Sequence, residues 1–323
     1  MAHELTQRAN GFIEFAATGP RQAVWHHLGQ YLEENASIET WKKQAGMDWD
    51  INSSPLMYNG KADIIVNDSK QILHRSDSEE LLGIVSKDYK VVQPGQVLEF
   101  FRDLTEANQM KLSAAGTLFG GKRFWATAEI NKSAEISSGD RIDGYLLLMS
   151  SADGTTSTTA KLTSTRVVCA NTLQIAMSEK SRNAIKITHA RDFDPKQVKI
   201  DLGLVDVAWD NFIGNLKTLA SKKISDDAAQ EFFAKLITPA NTAVNMELLK
   251  TQRHVDAMMH FYKNGAGAEM TYGTRWGALN AVTELFTHGN GKRRNESAQF
   301  ESSENGANSK IKMDAMHSLL QMA

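Results

Sequence analysis

Between Gly120 and Ser178 the hydrophobic pattern leaves the backbone few choices. Phe124, Ala126, Ala128 and Ile130 fall at every second position after the Gly120-Gly121 turn, which is the period of a strand with one buried face. After a second turn, Ser137-Ser138-Gly139-Asp140, the run from Ile142 to Met149 becomes continuously apolar, as in a central strand covered on both sides. Ala152-Asp153-Gly154 signals a hairpin. A threonine-rich strand leads from it into Arg166-Val167-Val168-Cys169. Asn171 is placed to cap a helix, with Gln174 three residues on. Leu173, Ala176 and Met177 supply the apolar stripe of that helix. The stretch predicts an antiparallel β-meander closed by a helix.

The flanks extend this reading. Gln22 to Asn35 has helical spacing through Val24, Trp25, Leu28, Tyr31 and Leu32, and Ser37 starts a short helix that Gly46 ends. Ala62–Val66 and Gln71–His74 predict a hairpin across Asn67-Asp68. Gly83–Val92 reads as a strand, and Gln93-Pro94-Gly95 leads into a helix with Pro94 in its first turn. Val97, Leu98, Phe101 and Leu104 share a face of that helix, and Lys111–Phe119 follows as a strand. Amphipathic helices are expected over 201–219, from Asp226 after a Ser225 cap, over 246–262, and after Thr274. The fold class is therefore α+β: an antiparallel meander with helices on one face, then a helical C-terminal region. In chain order the expected parts are an N-terminal α/β module (1–82), the central core (83–200), a helical region (201–288), a linker (289–309) and a C-terminal helix (310–323).

The segments YKVVQPGQVLEFF, GGKRFW, DGTTSTTAKLTSTRVVCANTL and TRWGALNAVTELFTH resemble the phage- and plasmid-like DUF932 family. The similarity runs from about Trp25 to His288, and RVVCANTL is its most specific part. The resemblance implies a phage, prophage or plasmid origin and supplies no biochemical role. The order of helix, antiparallel strands and helix also resembles, in topology alone, the core of Rad52-type single-strand annealing proteins.

Charge is more informative by region than in total. The chain of 323 residues has a net charge of −2. Residues 1–85 hold seven Lys/Arg against twelve Asp/Glu, whereas 161–199 hold eight against three. A local excess of this kind attracts a polyanion, although solvated helix and strand faces account for it equally well. There is no 18-residue apolar run and no signal peptide, so a cytoplasmic location is expected, that of the host if the chain is phage-encoded. The one cysteine, Cys169, excludes an internal disulfide. Lying between Val168 and Ala170, it reads as a small buried hydrophobe, while the helix start expected after it leaves a reactive thiolate open.

Residues with catalytic or metal-binding spacing are scarce. There is no GxxxxGK[ST] or GxGxxG stretch, no HExxH, and His26-His27 are adjacent. Asp140, Asp143 and Asp153 form the one carboxylate set, at turns of the meander, where local hydrogen bonding is the usual role and magnesium the rarer one. No cofactor is expected and an enzyme is not the leading reading. That reading is a protein that binds or anneals single-stranded DNA in recombination or replication, with phosphates supplying affinity and aromatic rings stacking on bases. Its expected contacts are Lys122, Arg123, Trp125, Lys161, Arg166, Lys180, Arg182, Lys186 and Arg191. Lys161 and Arg166 share a ligand only if the strand between them bulges. The alternative is an oligomeric interaction protein that counteracts a host factor. Either way the unpaired meander edges and the tethered C-terminal helix predict a homo-oligomer, a ring or filament, and no membrane partner.

Overall fold

Ser37 accepts a hydrogen bond from the Thr40 N–H at 3.2 Å and so starts helix α1, Ile38–Gln44, with Glu39 in the first turn and Lys42 and Lys43 in the last. The same local logic recurs along the chain in a computed structural model that describes residues 5–19, 28–106, 110–166, 172–174, 185–187, 189, 194, 205–238, 245–288, 302–304 and 306–322. Pro94 opens α2, Pro94–Glu106, where its missing N–H costs nothing. Ser225 accepts from the Ala228 N–H, and Thr274 accepts from the Gly277 N–H.

The described chain divides into two units that interleave in sequence. One comprises Met1–Asn131, Tyr145–Leu162 and Ala184–Gly203; the other comprises Lys132–Gly144, Thr163–Asn183 and Leu204–Ala323. The strands β1 (Phe15–Thr18), β2 (Gln30–Leu32), β6 (Lys111–Leu118) and β11 (Ile185–Ile187) belong to the first unit. The long strands β7 (Arg123–Ser137), β8 (Asp140–Ser151) and β9 (Thr158–Arg166) each contribute a segment to both. Within the first unit the order is β11-β9-β8-β7-β6-β1-β2, and a separate sheet orders β3 (Ile51–Asn59), β4 (Ile64–Arg75) and β5 (Leu81–Ser86). The expected alternation holds: Phe124, Ala126 and Ala128 are fully buried and Ile130 nearly so. Leu146 to Met149 of β8 are buried without a break, as a doubly covered strand requires.

In the second unit β10 (Thr172–Gln174) extends the β9-β8-β7 segment. The helices are α3 (Val205–Ser221), α4 (Asp226–Ile237), α5 (Asn245–Asn264), α6 (Ala268–Thr271), α7 (Arg275–His288) and α8 (Ala307–Gln321). Almost every residue of α7 is buried, so it is the central helix, packed by α3, α5 and α8. The β7–β8 turn places Gly139 at φ +79, a conformation that β-branched residues avoid.

Three expectations give way to tertiary pairing. Gln30–Leu32 is a strand and not part of a helix, because β1 offers it a parallel edge with Ala16 opposite Gln30. Residues 64–75 form one strand and not a hairpin across Asn67-Asp68. The turn chemistry is still used: Asn67 Oδ1 accepts from the Ser69 N–H at 2.9 Å, and the pairing with β3 jumps from Leu56–Asn67 to Pro55–Gln71. The asparagine therefore builds a bulge. Thr172–Gln174 is a strand on β9, with Leu173 opposite Ser164, and not a helical turn, while Asn171, Ala176 and Met177 lie outside the described residues. The strand expected over 83–92 ends at Ser86.

Candidate nucleic-acid interface

Asp153 organises the connection between β8 and β9. Its Oδ1 accepts from the Thr155 N–H at 3.0 Å and from the Thr155 hydroxyl at 2.9 Å. Arg123, the first residue of β7, brings Nη1 to 2.6 Å from the same carboxylate oxygen and donates from Nη2 to the Thr155 hydroxyl. Burial alone would raise the Asp153 carboxyl; Arg123 and the Thr155 N–H outweigh it and hold the group below its ordinary value. The Ala152 N–H donates to Lys122 O at 2.9 Å, which ties the turn to the start of β7 a second time.

A second layer closes over this turn. Tyr89 donates its hydroxyl to Ser151 O at 2.9 Å, and burial, reinforced by the charge of Asp153, pushes its phenol up to about 12. The ring stacks on His189 with centroids 4.3 Å apart and planes 16° apart. The His189 ring nitrogens lie 2.9 Å from Lys90 O and 3.1 Å from Thr156 O, and the Lys90 N–H donates to His189 O. A pinned histidine thus stands two residues past the strand β11, which pairs Lys186 with Thr159. Lys90, bonded to His189, is exposed and Lys122, bonded to Ala152, is half-buried; Lys87 and Asp88, just before Tyr89, are exposed as well, with Lys87 held to β4 through Ser69 O. Such a rim suits a phosphate chain, because flexible ammonium groups bind phosphates as point charges without fixed geometry.

The four expected contacts whose side chains are described, Lys122, Arg123, Trp125 and Lys161, do not form an exposed groove. Trp125 and Lys161 are buried, at 5% and 1% exposure, and Arg123 is buried in its ion pair with Asp153. These three are interior side chains of the first unit and offer no surface to a ligand. Both Lys161 and Arg166 lie on β9, Thr158–Arg166, and the burial of Lys161 already prevents the two from sharing a ligand at the surface. For Arg166 and Lys186 only the strand positions are described, and Lys180, Arg182, Arg191 and Cys169 lie outside the described residues. Lys122 alone of the described expected side chains reaches the surface. The residues that sequence reasoning missed are Lys87, Tyr89 and Lys90, an interleaving of cations with an aromatic ring just past β5. The spacing Gly116 to Gly121-Lys122 imitates a phosphate loop, but Arg123 stands where the hydroxyl would be and a strand follows in place of a helix.

The three meander aspartates are separately engaged. Asp140 is fully buried and accepts from Trp276 Nε1 at 2.6 Å in the second unit. Asp143 pairs with Arg141 at 2.8 Å, and Asp153 belongs to the first unit. Among the described residues no three His, Cys, Asp or Glu side chains are grouped to hold a metal ion. No described helix is long and apolar enough to cross a membrane.

A family model described as a domain of unknown function, DUF932, matches residues 81–308. No curated protein and no solved structure matches the chain, so the Rad52-type likeness in topology finds no counterpart there.

Proposed function

The chain belongs to the DUF932 family, and from the lysine-rimmed turn at residues 152–157 we propose that it binds single-stranded nucleic acid and acts in recombination or replication of phage or plasmid DNA. The observation that carries this reading is that Lys122 and Lys90 are tied to this turn and its covering layer, Lys122 O accepting from the Ala152 N–H and Lys90 bonding His189, in a turn where Arg123 is already neutralised by Asp153. The net positive stretch 161–199 supports it, since β11 fixes part of that stretch on β9 of the same sheet. Phosphate contact of this kind gives affinity without sequence preference and falls steeply with salt.

The test is a fluorescence-anisotropy titration of labelled oligothymidine at several salt concentrations, with Lys87→Glu, Lys90→Glu and Lys122→Glu combined. The expected outcome is at least ~10-fold weaker binding at low salt and a salt slope reduced by up to ~0.7 per lysine removed. A wild-type protein that does not bind at low salt overturns the proposal, as does a folded triple variant with unchanged affinity. An oligomeric interaction protein that counteracts a host factor is the second reading. It is favoured by the exposed apolar hairpin described next.

A further inference from the structure

Of the eight large apolar side chains exposed among the described residues, seven lie on the β3-β4-β5 sheet. β5 pairs only with Lys70 to His74, so beyond the bulge β3 and β4 continue as a two-stranded ribbon closed by residues 60–63. Tyr58 stands opposite Ile65, and Met57 stands opposite Val66. Alternation therefore puts Tyr58 and Ile65 on one face, and Met57, Val66 and Ile64 on the other. The first face continues onto the three-stranded part through Ile84 and Leu81. Exposure is 67% at Ile64 and about half at most of the others. A two-stranded ribbon has no core of its own to justify this composition.

We propose that this ribbon is a dimerisation arm whose partner is the same ribbon of a second copy of the chain. Half-exposed side chains of this size contribute on the order of 100 Å² each. The four on the Tyr58 face together offer roughly 400 Å², about half of the ~800 Å² that each partner gives to a standard interface and the size of an apolar patch that is often functional. Charge selects the occupant. Between Pro55 and Lys70 the charged residues are Lys61, Asp63, Asp68 and Lys70, two of each sign and all exposed. A neutral ribbon does not attract a polyanion, while two copies related by a two-fold axis set the lysines of one near the aspartates of the other.

The edges direct the contact to the faces. Gln93 takes both backbone groups of Ile51, accepting from its N–H at 2.7 Å and donating to its carbonyl at 3.1 Å. Pro55 lacks an N–H within β3, and the Asn67–Ser69 bulge interrupts β4. Strand addition is therefore hindered along β3, at Ile51 and at Pro55. Face-to-face packing about a two-fold axis closes at two copies.

The test is sedimentation velocity of the full chain over a micromolar range, for wild type, Ile65→Asp and Ile84→Asp, without nucleic acid. The wild type is expected at twice 35.7 kDa. Each variant is expected to weaken association at least ~30-fold, the size of an interface hot spot, with a thermal melt unchanged from wild type at dilutions where both are monomeric, because neither side chain is buried. A 35.7 kDa wild type at every concentration overturns the proposal, as do variants that keep the wild-type mass. A monomer that co-sediments with anionic phospholipid vesicles overturns it in favour of a membrane surface. Because nucleic acid is left out, failure here leaves the single-strand reading standing, and failure of that reading leaves the arm.

Discussion

The two ends of the β3–β4 hairpin reverse the usual rule in opposite directions. At the tip, apolar side chains face solvent. At the base, charged side chains are inside. Glu14, immediately before β1, is fully buried and receives Arg75 from β4 through both oxygens, at 2.6 and 3.1 Å. Arg8 adds a third bond at 2.7 Å and Thr117 donates its hydroxyl to the same carboxylate. Arg75 also binds Asp77 through Nε and Nη2, both at 2.9 Å, and its guanidinium lies 4.0 Å from the Trp49 ring. Burial alone would weaken the Arg75 charge; Asp77 and Glu14 outweigh it and hold the group above its ordinary value. Gly121, at φ +92, leaves room for this stack, since a Cβ there would sit 2.7 Å from Trp49 Cζ2 and 2.8 Å from Arg75 Nη1. The contrast teaches that burial by itself does not mark function. The base is closed on itself, with its charges answered within one unit, while the tip has apolar area that nothing in its own unit answers.

The sharpest way to break the comparison is Arg75→Ala. It leaves Glu14 buried with its main counter-charge gone, and about 3–5 kcal/mol of stability should disappear. Urea unfolding measures it; a loss under ~1 kcal/mol would show that the base tolerates an unpaired carboxylate and is not the closed network described.

An intermediate case sharpens the contrast, because it has the chemistry of the base with the exposure of the tip. Glu99 on α2 binds Arg102 at 2.6 and 2.8 Å and Lys42 of α1 at 2.5 Å. Arg102 chiefly, and Lys42 with it, outweigh burial and pull Glu99 from 4.5 to about 2. A depressed carboxyl stabilises the fold above its unfolded value and stops doing so as pH falls through its folded one. The contribution is therefore whole above about 4.5 and gone below about 2. With the Glu99 side chain 38% exposed, solvent screening keeps it under about 1 kcal/mol. Comparing wild type with Glu99→Gln across that window should show a gap that closes as the acid limit is reached. A gap that persists there would assign the effect to packing.

The smallest expected effect is at the tip. Ile64→Ser, at the most exposed apolar position, should change the stability of the dissociated chain by no more than about 0.5 kcal/mol. A loss of several times that size at high dilution would mean that the ribbon is packed within its own chain.

Much of the fold was legible in the sequence where the cause is local. Ser37, Pro94, Ser225 and Thr274 start their helices through bonds or missing donors within three residues. The period of two through Phe124 to Ile130 dictates a strand with a buried face, since any other backbone would scatter those side chains. The antiparallel α+β class and the DUF932 family follow from the same stretches. The candidate site was legible only at Lys122, because a lysine or arginine in a sequence does not say whether a carboxylate is waiting for it. Tertiary structure alone placed Asp153 against Arg123, buried Lys161 and Trp125, and brought Lys90 to His189 across 99 positions. It also made strands of Gln30–Leu32 and Thr172–Gln174, whose local spacing and caps favour helix. Helix propensity differences amount to a few tenths of a kcal/mol per residue. An unpaired sheet edge left in the interior forfeits about 1–3 kcal/mol per group, so strand pairing prevails over local helical preference at both places.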